Sequence, residues 1–274
     1  MMLDLSQPRV MAILNVTPDS FYAGSRMSCA EAVETRVREA VDEGCDLVDV
    51  GGYSSRHGAD EVSPEEEWRR VKLGVATVRR LAPGLPVSVD TFRSEVAVRA
   101  LDEFGPLIIN DISAGELDAR MLATVALYDV PYVAMHMKGD PKTMQSLTDY
   151  RRDIVTEVVD YFRRRVAAML EAGIRAGQIV LDPGFGFAKT ADQNFELLAG
   201  LHSLCAEGYP VLAGLSRKSM IYRTLGTTPD EALAGTVALG WECLRQGASI
   251  LRVHDVREAV DTVRLFRAFA GRGV

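Results

Sequence analysis

Apolar residues in this chain fall into eight short bursts, separated by longer stretches in which they recur every three or four positions. The bursts cover residues 10–14, 47–50, 86–89, 107–109, 132–135, 179–181, 211–215 and 250–253. Several are rich in valine and isoleucine and apolar almost throughout, which suits strands of a parallel sheet buried on both faces. The stretches between them read as amphipathic helices over 30–43, 65–81, 94–104, 118–128, 149–171, 192–205, 230–246 and 255–269. In the first of these, Val33, Val37, Ala40 and Val41 share one face while Glu31, Glu34, Arg38 and Glu39 lie elsewhere. Ser63-Pro64 has the form of an N-cap followed by proline at the first helical position. Gly44, Gly173 and Gly247 stand where helices should stop.

Strand then helix, eight times in 274 residues, matches a single-domain (β/α)8 barrel, class α/β, over residues 1–274. The rival is an open doubly wound sheet in two domains, but no long Pro/Gly/Ser linker divides the chain. Residues 138–150 and the long helix after them read as an insertion in the fifth unit. The connections after the first two strands, about 15–28 and 51–63, exceed the usual βα length of about 2–6 residues and are expected to be mobile binding loops.

In a barrel, residues just past the C-terminal ends of the strands share one mouth. Here those ends carry Asn15, Gly51-Gly52, Asp90-Thr91, Asn110-Asp111, His136, Asp182-Pro183-Gly184, Ser216-Arg217-Lys218 and Arg252-Val253-His254-Asp255. Any one polar strand end is ordinary solvation; eight converging on one face point to a site. Asp90, Asn110 and Asp182 are acceptor-rich. They suit either a metal or the N–H edge of a heterocycle. Lys218, Arg252, His254 and Arg56 form a cationic half suited to phosphate or diphosphate. Asp255 reads as a helix N-cap and His136 as a packed core histidine, so neither joins the site.

Composition narrows the partners. A formal net charge of −7 disfavours general binding to nucleic acid or to an anionic membrane, so an anion must meet a local cationic cluster. No apolar run is long enough for a bilayer span. The start Met1-Met2-Leu3-Asp4 lacks the features of a secretory signal, and the four scattered cysteines show no metal-ligand spacing, so a cytoplasmic protein with reduced thiols is expected.

Motifs at the strand ends resemble the dihydropteroate synthase family, in order and over nearly the whole chain. They are NVTPDSF from Asn15, SVDT from Ser88, INDISAG from Ile109, MHMKG from Met135, DPGFGFAKT from Asp182, SRKSMI from Ser216 and RVHDV from Arg252. The resemblance implies condensation of (7,8-dihydropterin-6-yl)methyl diphosphate with 4-aminobenzoate, a step of folate synthesis that sulfonamides block. It implies pterin binding by Asp90, Asn110, Met135, Asp182, Gly214 and Lys218, and diphosphate binding by Ser55, Arg56, Arg252 and His254. Pro18, Phe187, Lys218 and Ser219 would border the aminobenzoate, Asn15 would contact Mg²⁺, and Asp90, Lys218 and Arg56 would be catalytic. A homodimer is the family's usual state. A pterin-binding methyltransferase domain or a non-catalytic pterin-binding paralogue would share the barrel.

The chain departs from the family pattern in both long loops. Tyr22-Ala23-Gly24-Ser25 replaces Ser-Asp-Gly-Gly, and Gly51-Gly52-Tyr53-Ser54-Ser55-Arg56-His57-Gly58 replaces Gly-Gly-Glu-Ser-Thr-Arg-Pro-Gly. Arg93 stands where a lysine is usual.

Overall fold

The valine- and isoleucine-rich bursts become strands because β-branched side chains pack well on a pleated sheet covered on both faces. A computed structural model describes residues 3–17, 29–54 and 61–271. Its strands are β1 (Arg9–Asn15), β2 (Leu47–Gly51), β3 (Val87–Asp90), β4 (Ile108–Asp111), β5 (Tyr132–Met135), β6 (Ile179–Asp182), β7 (Leu212–Ala213) and β8 (Ile250–Val253). All neighbouring pairs are parallel, in the order β6-β5-β4-β3-β2-β1-β8-β7. A parallel bridge between Leu181 and Val211 joins the two outer members and closes the barrel. β7 is shorter than the apolar run 211–215 suggests. Pro210 has no N–H to give, and beyond Ala213 the ladder pairing ends at Gly214.

The helices are α1 (Cys29–Asp42), α2 (Pro64–Leu81), α3 (Ser94–Phe104), α4 (Met121–Tyr128), α5 (Ile154–Glu171), α6 (Ala191–Ala199), α7 (Leu201–Cys205), α8 (Ser219–Leu225), α9 (Leu233–Arg245) and α10 (Val256–Ala270). Ser63 caps α2 by accepting from the Glu66 N–H at 3.2 Å. Four readings of the sequence need correction. Val41 is exposed rather than part of the inner face of α1. α4 begins late because Asp118 spends its carboxylate on the N–H groups of Ser94, 2.7 Å away, and Arg120. α5 begins at Ile154 because Asp153 caps it through the Thr156 N–H at 2.8 Å. The stretch 192–205 is two helices broken at Gly200, where an added Cβ would come within 2.5 Å of Val155.

Along a strand, alternate side chains face the barrel interior. Met11, Leu47, Ile108, Val133, Val180, Leu212 and Ile250 form one buried apolar layer there, with Leu3 and Leu5 packed against it. The larger core lies outside, between sheet and helices. Two positions beyond each lower-layer residue, facing the same interior, stand Ile13, Asp49, Asn110, Met135, Asp182, Gly214 and Arg252. Parallel register puts Asn15, Gly51, Asp90 and Asn110 side by side across β1 to β4.

Candidate active site

Above the apolar layer, a cavity of about 260 Å³ opens at the C-terminal mouth. Its floor and walls include Ile13, Asn15, Asp90, Asn110, Ile112, Met135, Asp182, Gly214 and Arg252 from strands and strand ends. Its rim includes Thr17, Tyr53, Ser54, Met144, Gly186, Phe187, the run Ser216 to Ser219, and His254.

Arg252 organises one side of the floor. Its Nε donates to Asp49 Oδ2 at 2.6 Å and its terminal nitrogen donates to Asp90 Oδ2 at 2.7 Å. Asn110 Nδ2 donates to the same Asp49 oxygen at 3.0 Å, which turns the Asn110 amide one way round. Asp49 Oδ1 is buried without a hydrogen-bond partner among the described residues. Burial pushes the Asp90 carboxyl up; Arg252 opposes this, while Asp49, Glu67 and Asp111 reinforce it. Burial works against the Arg252 charge, but Asp49 and Asp90 outweigh it, so the guanidinium stays ionised. The motif resemblance assigns Arg252 to the diphosphate; here its Nε and one terminal nitrogen are held by carboxylates.

Asp182 organises the other side. Its Oδ1 accepts from the Gly184 N–H at 2.8 Å, while Oδ2 lies toward the bare face of Gly214. Gly184 has φ +68°, and an added Cβ would lie 2.1 Å from the His136 carbonyl, so a larger residue would displace this turn. Burial raises the Asp182 carboxyl; Lys218, the Gly184 N–H and Arg252 hold it down. Lys218 donates to the Phe185 carbonyl and sits 4.5 Å from the Phe187 ring centroid. Burial pushes the Lys218 ammonium down to about 8, against the pull of Asp182.

Lys189 holds this turn from behind. Its Nζ lies within 3.0 Å of the Gly184 and Phe187 carbonyls and 2.9 Å from His136 Nδ1. Burial drives both Lys189 and His136 well below their ordinary values. His136 is packed edge-on to Tyr161 with centroids 4.7 Å apart. On the β7 side, Ser216 Oγ lies 3.1 Å from His254 Nδ1. Arg217, at φ +55°, forks onto Asp255 at 2.6 and 2.9 Å. Asp255 therefore anchors the Ser216–Lys218 turn, and its side chain makes no cap bond to α10.

The cavity gathers Asn15, Asp90, Asn110, Met135, Asp182, Phe187, Gly214, Lys218, Ser219, Arg252 and His254 from the sequence-derived set. Pro18, Ser55 and Arg56 lie outside the described residues, as do residues 18–28 and 55–60 of the two long loops as a whole. Sequence reasoning passed over Asp49, Lys189 and the contacts of Tyr53. Asp49 does carry a signal, being the charged position inside an otherwise apolar strand, LVDVG.

The family model described as "Pterin binding enzyme" matches residues 11–254. Dihydropteroate synthase of Escherichia coli strain K12 is 44% identical over 270 residues, 97% of this chain and 93% of that protein. The structure of the Xanthomonas albilineans enzyme with 4-aminobenzoic acid superposes with a TM-score of 0.90 at 42% identity, covering 99% of this chain and 96% of the other. The same enzyme in complex with 7,8-dihydropteroate gives 0.87 at 40% identity over the same shares. This chain belongs to the dihydropteroate synthase family of pterin-binding enzymes.

Proposed function

We infer that this chain catalyses the dihydropteroate synthase reaction, joining (7,8-dihydropterin-6-yl)methyl diphosphate to 4-aminobenzoate. The observation that carries this reading is an acceptor floor, Asp182 with Asn110 and Asp90, beneath the cations Lys218 and Arg252 with His254 at the rim. The floor suits the amino group and ring N–H of a pterin, which donate in parallel. The cations suit a diphosphate.

Substitution is dissociative in this proposal. The bond from the methylene carbon to the diphosphate oxygen breaks, and its electron pair leaves with the diphosphate. The electron-rich dihydropterin delocalises the resulting cation, with Asp90 facing it. The amine lone pair of 4-aminobenzoate then forms the C–N bond and a proton leaves that nitrogen. A neutral arylamine is already nucleophilic, so no strong base is required. Lys218, beside both Asp182 and the Phe187 ring, reaches the pterin while its stem borders the aminobenzoate. Pro18, Ser219, Ser55 and Arg56 retain the roles that the motifs imply.

Mg²⁺ is part of the proposal. Asn15 offers one neutral oxygen, Oδ1, over the bare face of Gly51 and beside Asp90. No group of three or more His, Cys, Asp or Glu suited to a metal occurs among the described residues. That scarcity fits an ion that keeps water and takes most of its remaining ligands from substrate phosphates. When bound it would neutralise charge on the diphosphate.

Among the described residues, no helix is long and apolar enough to cross a membrane. A cytoplasmic location and a homodimer complete the reading, and exposed Leu225, Leu265 and Phe269 on α8 and α10 support the second of these. Sedimentation at assay concentration and cell fractionation test these two points. Competition between a sulfonamide and 4-aminobenzoate tests the proposed drug target.

The deciding assay supplies dihydropterin diphosphate, 4-aminobenzoate and Mg²⁺. Pyrophosphate and dihydropteroate should appear in equal amounts. Pterin binding without product would support a non-catalytic paralogue, and methyl transfer to a corrinoid protein would overturn the reading.

A further inference from the structure

Tyr53 and Arg93, two positions at which the chain departs from its family's motifs, touch each other. The Arg93 guanidinium carbon lies 5.3 Å from the Tyr53 ring centroid and 5.2 Å from that of Phe92. The two rings meet edge-on, 84° apart in plane, with centroids at 5.3 Å. A guanidinium against aromatic faces is an attractive, directional contact.

Arg93 is itself held from two further directions. It donates to Glu67 Oε2 at 2.6 Å and to the Val62 carbonyl at 2.8 Å. Glu67 has no exposed surface and accepts a second bond from Thr91 Oγ1 at 2.5 Å. Thus α2, the residue before its cap and the turn between β3 and α3 are fastened to one guanidinium. The remaining face of that guanidinium meets a ring that lines the cavity.

The chemistry of the lining indicates what Tyr53 would meet. Acceptors and cations serve a pterin edge and a diphosphate. A flat arylamine gains instead from aromatic walls. Among the described residues, the carbocyclic aromatic side chains lining the cavity are Phe187 and Tyr53. We propose that Tyr53 is an aminobenzoate-side wall of the site and that Arg93 is the positioning residue that holds its ring there. The proposal rests on the synthase reading, and neither residue takes part in bond making.

The test uses the full chain and compares Tyr53→Ala, Tyr53→Phe, Arg93→Lys and the double variant Tyr53→Ala/Arg93→Lys. Steady-state kinetics are measured for 4-aminobenzoate, with calorimetric titration of free pterin on the same preparations. Arg93→Lys is chosen over Arg93→Met because it leaves buried Glu67 with a cation, so the fold should survive. Tyr53→Ala should raise KM for 4-aminobenzoate about tenfold, with kcat and pterin affinity changing less than about threefold. Tyr53→Phe should recover most of that loss. Arg93→Lys should raise the same KM about threefold alone, and by less than about twofold on top of Tyr53→Ala, because the two act through one ring. The proposal is overturned if Tyr53→Ala leaves KM for 4-aminobenzoate within about twofold of wild type, if pterin affinity falls in parallel, or if the two effects multiply. A wild-type protein that makes no dihydropteroate would overturn the synthase reading instead, and would do so before any variant is compared.

Discussion

Two layers of side chains fill the inside of this barrel, one strand period apart, and they differ in what holds them. Met11, Leu47, Ile108, Val133, Val180, Leu212 and Ile250 below are apolar and buried, and area removed from water stabilises them. Asp49, Asn110 and Asp182 above are nearly as buried but polar, Arg252 beside them is partly buried, and all four persist by pairing with one another and with turns. Burying such groups is costly unless every atom is satisfied, and among the described residues Asp49 Oδ1 has no partner. The lower layer thus carries stability, whereas the upper layer gives up stability to present acceptors and charge at the mouth.

That contrast can be broken by moving one residue in each layer. Ile108→Ala below should produce the largest change in stability, about 2–5 kcal/mol, because a fully buried side chain leaves a cavity. Chemical denaturation measures it, and kcat of the remaining folded enzyme should stay within about twofold because Ile108 does not line the cavity. A comparable fall in kcat would mean that the layers are not separate.

Asp49→Asn should have a smaller effect on stability, about 1–3 kcal/mol, since one charged partner of Arg252 is lost while an acceptor remains. It should also weaken pterin binding about tenfold, because an uncharged acceptor holds the Asn110 amide less firmly in the orientation that Asp49 sets. Unchanged binding would restrict Asp49 to a packing role.

The mildest test is pH. Because the Lys218 ammonium is pushed down to about 8, its charge is lost in the folded enzyme as pH rises through that value. kcat/KM for the diphosphate substrate should fall above about pH 8, and Lys218→Arg should move that limb upward. For stability the sign is opposite. Between about 8 and the ordinary lysine value the unfolded chain binds the extra proton, so this group's contribution to stability rises with pH. An alkaline limb that Lys218→Arg leaves in place would assign it to another group.

Much of this architecture was legible in the chain. Strands from 132 to 135 and 250 to 253 and the helix from 94 to 104 have the observed limits, because the apolar pattern ends there and Gly105, at φ +75°, closes the helix. α8 was not legible, since seven residues give too little period to distinguish helix from loop. The cavity-lining residues were legible where they directly follow an apolar burst, as Asn110 and Asp182 do. Asp49 was missed because it sits inside an apolar run, and Lys189 because its partners are carbonyls whose position depends on the folded turn. The pairing of Asp255 with Arg217, rather than with its own helix, is likewise a tertiary contact that no local pattern encodes.

The most direct measurement titrates wild type and Asp182→Ala with a dihydropterin in the presence of pyrophosphate and Mg²⁺, with thermal unfolding recorded on both. The account predicts that Asp182→Ala weakens pterin binding about a hundredfold or more while its melting temperature stays near or above that of wild type. Near-normal pterin affinity, or loss of binding only in step with loss of the fold, would contradict it.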